Sequence, residues 1–242
     1  MNIEVVWTPQ QFEKIRVKVG EKTVAVVIDV LRATTCMACA LHSGAEKIIA
    51  VASHEQARQL KRLNPDALLC GEKNHARPED FDMGNSPGEF TPQRVKGRVL
   101  IHSSSNGTKA VVAMKDAGVN KIYTGCFRQL RILTAAIRRE MESAADMRLI
   151  LAAAGTLDGA SYEDLLFASA LLHGLMISHP LVSLWRAVDN EKLLDHLAAS
   201  RNGRALMRKG LGADILAASQ TDASPVLSVV SDEGFVVAID KF

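Results

Sequence analysis

The stretch Val24–Thr35, VAVVIDVLRATT, starts as a continuous apolar run and ends in one carboxylate, one guanidinium and two hydroxyl groups. A short run of β-branched and apolar residues is typical of a strand that is buried on both faces. In open α/β sheets, ligands bind at the carboxyl ends of such strands. The residues here that could hold a metal ion beside an anionic group are Asp29, Arg32, Thr34 and Thr35. The alternative interpretation is that Asp29 only caps the helix that follows.

The pattern of apolar residues predicts an α/β fold, because strand-like runs alternate with amphipathic helical segments as far as Ser161. The predicted strands are Ile3–Trp7, Val24–Asp29, Lys47–Val51, Ala67–Gly71, Val99–Ser104, Lys121–Cys126 and Met147–Ala154. The predicted helices are Ala33–His42, Glu55–Leu63, Lys109–Ala117, Leu130–Glu142, Tyr162–Ile177 and Leu184–Lys209. A predicted β-hairpin, Val226–Ser231 with Phe235–Asp240, closes the chain. We expect one domain over residues 1–242, in which the hairpin either joins the sheet or stands with helices in a sub-lobe over residues 180–242.

The net charge and the lengths of the apolar runs argue against a nucleic-acid-binding protein and a membrane protein. The chain has 29 Lys and Arg against 27 Asp and Glu, a net charge of +2, without the clustered basic excess typical of nucleic-acid binding. No apolar run approaches the roughly 18 residues that a membrane span needs, and no signal-like segment starts the sequence. We therefore expect a cytoplasmic protein with no nucleic-acid or membrane partner. Assembly into a homo-oligomer is left open.

Cys36 and Cys39 form a C-x-x-C motif within the first predicted helix. Their three-residue spacing places both thiols on one helix face, where they suit the packed core as small apolar side chains. A zinc site is less favoured because Cys70 and Cys126 do not form a second close pair. A redox pair is less favoured because the motif does not start the helix.

The loop Gly71–Phe90, GEKNHARPEDFDMGNSPGEF, follows a predicted strand and is rich in charged and amide side chains. Loops of this length in a compact domain are usually functional or disordered, and Phe81 and Met83 provide apolar anchors against disorder. We interpret it as an active-site loop, and the alternative is an ordinary surface excursion. Its candidate residues are Glu72, Lys73, Asn74, His75, Arg77, Asp82, Asn85 and Ser86.

Two more strand ends carry polar turns. Ser103–Thr108, SSSNGT, precedes a helix whose amides and dipole favour a bound anion, although a plain helix cap is the alternative. Ala152–Asp164 brings three carboxylates to a further strand end, for which a capping box is the alternative: Asp158, Glu163 and Asp164. In a parallel sheet these turns share one edge. Metal-assisted hydrolysis of a phosphate ester is the chemistry that would use them all.

Five segments together resemble the 2-phosphosulfolactate phosphatase family. They are DVLRATT at Asp29–Thr35, the loop Gly71–Pro87 with its FDMGNSP end, SSSNGT at Ser103–Thr108, GCF at Gly125–Phe127 and AAGTLDGASYED at Ala153–Asp164. The resemblance implies a three-layer α/β/α fold with a mostly parallel or mixed sheet. It also implies a Mg²⁺-dependent enzyme that hydrolyses 2-phospho-3-sulfolactate, or a similar phosphorylated sulfonate or hydroxy acid. The sequence departs from the family pattern at Lys73, where an Arg is common, and at Ala153, where a Cys is common.

We predict catalytic roles for Asp29, Arg32 and Glu72. Asp29 is either a Mg²⁺ ligand or a nucleophile, and the first is favoured because Leu31 stands where haloacid-dehalogenase-type phosphatases have a second Asp. The predicted Mg²⁺ ligands are Asp29, Asp82 and Glu163. The predicted substrate contacts are Thr34, Thr35, Lys73, Asn85, Ser86, Ser104, Ser105, Asn106, Gly107 and Thr108. A non-catalytic sensor of an anionic metabolite is the alternative from another class, and it would need no metal.

Overall fold

The computed structural model describes residues 2–144, 146–156, 159–188 and 192–239. Within these ranges, helices flank a mixed sheet of nine strands. The strands are β1 (Asn2–Val6), β2 (Thr23–Ile28), β3 (Lys47–Val51), β4 (Leu68–Gly71), β5 (Val99–Ser103), β6 (Lys121–Gly125), β7 (Arg148–Ala153), β8 (Leu227–Val230) and β9 (Val236–Ile239).

The α-helices of the described residues lie between the strands and make up much of the C-terminal part of the chain. They are α1 (Ala33–His42), α2 (His54–Leu63), α3 (Pro92–Val95), α4 (Gly107–Asp116), α5 (Leu130–Ser143), α6 (Tyr162–Gly174), α7 (Val182–Arg186), α8 (Leu193–Ala199), α9 (Arg201–Arg208) and α10 (Gly212–Ser219). In this part of the chain, none of the helices is long and apolar enough to cross a membrane.

The strand order is β1-β7-β2-β6-β8-β9-β3-β5-β4. Two parallel blocks, β1-β7-β2-β6 and β3-β5-β4, lie on either side of the antiparallel hairpin β8-β9. The hairpin therefore joins the sheet at its centre, where β8 pairs with β6 and β9 pairs with β3. Of the two placements that the sequence left open, the one within the sheet is confirmed.

The carboxyl ends of β2 and β5 meet, although the pairing directions across the hairpin give the two blocks opposite senses. The contact is close, since a Cβ on Gly107 after β5 would lie 2.5 Å from Oδ2 of Asp29 after β2. Successive strands are rotated by about 20 to 25° relative to one another, so we infer that twist and curvature across the hairpin bring the ends together. The strand ends converge as predicted, and the sheet is mixed, which is one of the two forms that the resemblance implies.

The core contains the strand that the opening sequence predicts, since every residue of β2 is buried. A continuous apolar run needs cover on both faces, and clusters of apolar side chains lie on both sides of β2. The cysteines also match the favoured interpretation: they are buried free thiols, Cys36, Cys39, Cys70 and Cys126. Burial raises the pKa of Cys36 well above its ordinary value, as expected for a packing residue.

The main error of the sequence analysis concerns the predicted helix Leu184–Lys209, which is interrupted and contributes to α7, α8 and α9. Ser200 has an extended backbone, and its Oγ accepts a 2.9 Å hydrogen bond from the amide of Gly203. Such a cap starts a new helix, so α8 and α9 are separate helices. Helix α10 was not predicted. Asp158 and the end of the predicted hairpin at Asp240 lie outside the described residues.

Candidate active site

A cavity of about 270 Å³ lies where β2, β4 and β5 end. One wall is formed by the turns that follow these strands, and the facing wall by helix α9 and the turn after β7. The lining residues are Asp29, Leu31, Arg32, Glu72, Asn74, His75, Asn85, Ser105, Asn106, Gly155, Thr156, Arg201, Asn202, Ala205 and Arg208. Carboxylates, guanidinium groups and amides therefore share one small space.

Asp29 lies at the end of β2, with only 9% of its surface exposed. Its Oδ1 accepts a 3.2 Å hydrogen bond from the amide of Ala33. Burial raises the pKa of Asp29 to about 6, and the negative charges of Glu72 and Glu163 act in the same direction. The amides of Ala33 and Gly107 partly offset this rise. A cation in the cavity would therefore favour the ionised form of Asp29.

Glu72 follows β4 and is held by two backbone amides. Ser105 donates to Oε1 at 2.8 Å, and His75 donates to Oε2 at 2.8 Å. Burial alone would raise the pKa of Glu72, but hydrogen bonds from Ser105 and His75 and the charge of Arg32 lower it below its ordinary value. Glu72 is therefore an ionised carboxylate at neutral pH.

The turn before α4, SSSNGT, binds these two carboxylates. In the sequence it was interpreted as a site for a bound anion, with a plain helix cap as the alternative. The amide of Ser105 binds Glu72, and the amide of Gly107 faces Asp29. A glycine is required at 107 because a Cβ there would also lie 2.7 Å from Cβ of Ala33. The anions at this helix N-terminus are thus the protein's own side chains, which the turn orients toward the cavity.

Arg32 is almost completely buried, with 3% of its surface exposed. Its Nη1 donates to Oδ2 of Asp214 at 2.6 Å and to Oγ of Ser86 at 3.3 Å. Its Nη2 donates to the carbonyl oxygen of His75 at 3.2 Å. These contacts fix the plane of the guanidinium at the cavity wall, which suits it to a planar or tetrahedral oxyanion.

Several predicted substrate contacts instead hold the turns in place. Oγ1 of Thr34 donates to the carbonyl oxygens of Asp29 and Gly125, both at 2.8 Å, and Oγ1 of Thr35 donates to that of Val30 at 2.7 Å. Ser104 and Thr108 bind each other's backbone amides, at 2.9 and 3.1 Å. All four residues are buried. The structure does not bring them to the cavity, because their hydroxyls satisfy local backbone groups.

Two residues of the long loop are also placed away from the cavity. Asp82 accepts hydrogen bonds from the amide of Leu69 at 2.8 Å and from Nζ of Lys61 at 3.2 Å. The carboxylate of Asp82, predicted as a Mg²⁺ ligand, therefore anchors the loop to α2 and β4 and does not line the cavity. Lys73 is exposed, and its backbone pairs with that of Ala76.

Other predicted residues lie at or behind the wall. Asn85 lines the cavity and accepts a 3.0 Å hydrogen bond from Nε2 of His102. Ser86 contacts Arg32 and Asp214. Glu163, with 1% of its surface exposed, lies behind the wall and accepts a 2.7 Å hydrogen bond from Asn202.

The sequence analysis missed two sets of residues. Arg201, Ala205 and Arg208 have i, i+4, i+7 spacing, which places them on one face of α9. That spacing is visible in the sequence. The predicted continuous helix Leu184–Lys209, however, did not indicate that this face lines a site. Asp214 was missed because its helix was not predicted.

The carboxylates that line the cavity are suited to a metal ion that needs few ligands from the protein. Over the residues that the structure describes, no three or more His, Cys, Asp or Glu side chains form a group that could hold a metal ion. Asp29 and Glu72 are the described carboxylates that line the cavity. Mg²⁺ is often bound by one or two carboxylates together with substrate phosphate and water. The two carboxylates fit this mode, whereas a cage made of protein groups alone does not.

An α/β fold with carboxylates and a fixed guanidinium around a small cavity at strand ends belongs to the class of proteins that bind small anionic ligands. The sequence profile of the 2-phosphosulpholactate phosphatase family matches residues 8–233. The chain belongs to this family, which confirms the resemblance seen in its motifs.

Individual relatives are similar in sequence to this chain over most of their length. A probable 2-phosphosulfolactate phosphatase of Symbiobacterium thermophilum is 35% identical over 229 residues, which cover 90% of this chain and 94% of that protein. A protein of the same name from Pseudothermotoga lettingae is 30% identical, with 90% and 94% covered. A third, from Gloeothece citriformis, is 32% identical, with 88% and 91% covered.

Proposed function

We propose that this protein is a Mg²⁺-dependent phosphoric monoester hydrolase that converts 2-phospho-3-sulfolactate to 3-sulfolactate and phosphate. The observation that carries the proposal is the convergence of Asp29 and Glu72 on one cavity beside the fixed guanidinium of Arg32. Membership of the family and the names of the relatives support the substrate. The alternative substrates that we propose are phosphorylated sulfonates or hydroxy acids of similar shape.

Asp29 and Glu72 would hold the Mg²⁺ ion. Glu72 is ionised at neutral pH, and the raised pKa of Asp29 reflects burial and neighbouring negative charge that a cation would offset. When bound, the ion would neutralise charge on the phosphoryl group and favour attack by water. Asp82 is left out of the proposed ligand set, since it is bound to Lys61 and Leu69.

Arg32 would bind the phosphoryl oxygens. Asp214, Ser86 and the carbonyl of His75 hold its guanidinium, so little side-chain entropy is lost when the substrate binds. Asn85 would contribute its amide from the same side, oriented by His102. In hydrolysis, the oxygen of water bonds to phosphorus, the bond from phosphorus to the alcohol oxygen breaks, and that oxygen takes up a proton.

Phosphate release from 2-phospho-3-sulfolactate tests the proposal. We expect turnover with Mg²⁺ and loss of turnover in excess chelator, restored when Mg²⁺ is added back. Full activity in chelator would overturn the role of the metal. If 3-sulfolactate binds but no phosphate ester in a panel of hydroxy acid esters is hydrolysed, the protein is a sensor rather than an enzyme.

A further inference from the structure

Helix α9 forms a cationic wall of the cavity, facing the turns that carry the carboxylates. Arg201 and Arg208 lie two helical turns apart on the face that also presents Ala205 to the cavity. Ala205, which lies between them on this face, has a small side chain. This wall comes from a different part of the chain than any motif described in the sequence.

The position of α9 is fixed by a buried contact. Nδ2 of Asn202 donates to Oγ1 of Thr156 at 2.5 Å and to Oε1 of Glu163 at 2.7 Å. Because Asn202 is 8% exposed and Glu163 is 1% exposed, this contact holds the N-terminal turn of the helix against α6. The arginine face is therefore directed at the cavity by packing.

The two arginines differ from Arg32 in their partners. Arg32 is held by Asp214, whereas the guanidinium groups of Arg201 and Arg208 have no hydrogen-bond or ion-pair partner within the described ranges. The amides before α4 are also engaged, by Glu72 and Asp29. Arg201 and Arg208 are thus cationic donors that remain open to further anionic groups of a ligand.

We propose that Arg201 and Arg208 form the subsite that selects phosphate esters whose alcohol part carries sulfonate or carboxylate groups. This inference rests on the proposed function. The phosphoryl group would lie between the metal-binding carboxylates and Arg32, and the acidic groups of the alcohol part would point toward α9. Charge-assisted hydrogen bonds from arginine contribute roughly 1.5 to 3 kcal/mol each, which corresponds to about a 10- to 150-fold change in affinity.

Two esters of secondary alcohols provide the test: 2-phospho-3-sulfolactate, which has acidic groups, and isopropyl phosphate, which has none. We expect Arg201→Ala and Arg208→Ala each to lower the ratio of kcat/KM for the acidic ester to that for the plain ester at least about tenfold. Arg201→Lys should give an intermediate ratio, because it keeps the charge and loses the fork. Arg204→Ala is the matched control, since Arg204 lies on the same helix but donates to the carbonyl of Ala199 and does not line the cavity.

Calorimetric binding of the product, 3-sulfolactate, separates this inference from the proposed function. If the wild-type protein hydrolyses neither ester, but the alanine variants bind 3-sulfolactate about tenfold more weakly than Arg204→Ala, the enzyme assignment fails and the subsite stands. If hydrolysis proceeds and neither the ratio nor the binding changes in folded variants, the subsite is overturned. Circular dichroism and thermal unfolding establish that each variant is folded.

Discussion

Nη1 of Arg32 lies 2.6 Å from Oδ2 of Asp214, although the two residues are 182 positions apart in the chain. The two side chains are only 2% and 7% exposed. Oγ of Ser86 donates to the same carboxylate oxygen at 2.9 Å. The turn after β2 and helix α10 are therefore joined by a buried ion pair, and the orientation of Arg32 in the cavity depends on the C-terminal helices.

Breaking this ion pair should destabilise the fold. Asp214→Ala leaves the guanidinium of Arg32 buried without its carboxylate, and we expect a loss of about 3 to 5 kcal/mol in the free energy of unfolding. Urea unfolding followed by circular dichroism measures it. The control is Asp80→Ala, which breaks the exposed pair with Arg58 and should change the midpoint little. Equal midpoints for the two variants would contradict the conclusion that the buried ion pair of Arg32 and Asp214 stabilises the fold.

Asp29→Asn should abolish turnover and leave the fold intact. The change is nearly isosteric but removes the charge that a divalent cation requires. Phosphate release and the thermal unfolding temperature measure the two effects. We also expect the variant to lose its response to added Mg²⁺. Activity within threefold of the wild-type value would remove Asp29 from the proposed metal site.

Gly107→Ala should reduce kcat strongly, because the new Cβ would lie 2.5 Å from Oδ2 of Asp29 and 2.7 Å from Cβ of Ala33. The carboxylate or the start of α4 must then move, and small displacements in an active site are costly to catalysis. Gly88→Ala is the matched control, since a Cβ at Gly88 meets no atom within 4 Å. If both variants keep the wild-type kcat, the close approach of α4 to Asp29 does not matter for turnover.

The strands and the turns around the site could be predicted from the sequence because their signals are local. β2 is a continuous apolar run followed by a carboxylate, and Glu72 and Ser105 likewise follow strand patterns directly. The sequence analysis grouped these residues because the carboxyl ends of strands in a parallel sheet share one edge. In the mixed sheet of this protein the ends of β2 and β5 still meet, as the close approach of Gly107 to Asp29 shows. The predicted anchors of the long loop, Phe81 and Met83, are buried as well.

Other features of the fold and of the site could not be predicted, because they depend on contacts between distant parts of the chain. The pairing of β8 and β9 with β6 and β3 leaves no local sign, and neither does the position of α9 opposite Asp29. The position of Asp82 away from the cavity could not be predicted, because a carboxylate in a polar loop has the same sequence signal whether it binds a ligand or its own loop. Only the neighbouring amide of Leu69 and ammonium of Lys61 distinguish the two cases.

The last prediction concerns His102, which is buried behind Asn85. Burial lowers the pKa of His102 to about 4, although the charge of Glu72 acts in the opposite direction. In the unfolded chain its pKa is about 6.5. Between these values only the unfolded state takes up the proton, so the contribution of His102 to stability is present above pH 6.5 and is lost as the pH falls toward 4.

A variant without this titration isolates the effect. His102→Gln can still donate to Oδ1 of Asn85 but does not bind a proton, so other groups that titrate contribute equally to both proteins. We expect the free energy of unfolding of the wild-type protein, measured relative to the variant, to fall by about 2 to 3 kcal/mol between pH 7.5 and pH 4.5. Urea unfolding at several pH values gives this difference directly. A difference that stays constant with pH would show that His102 takes up a proton as readily in the folded protein as in the unfolded chain, and Asn85 would then face a cationic ring below about pH 6.5.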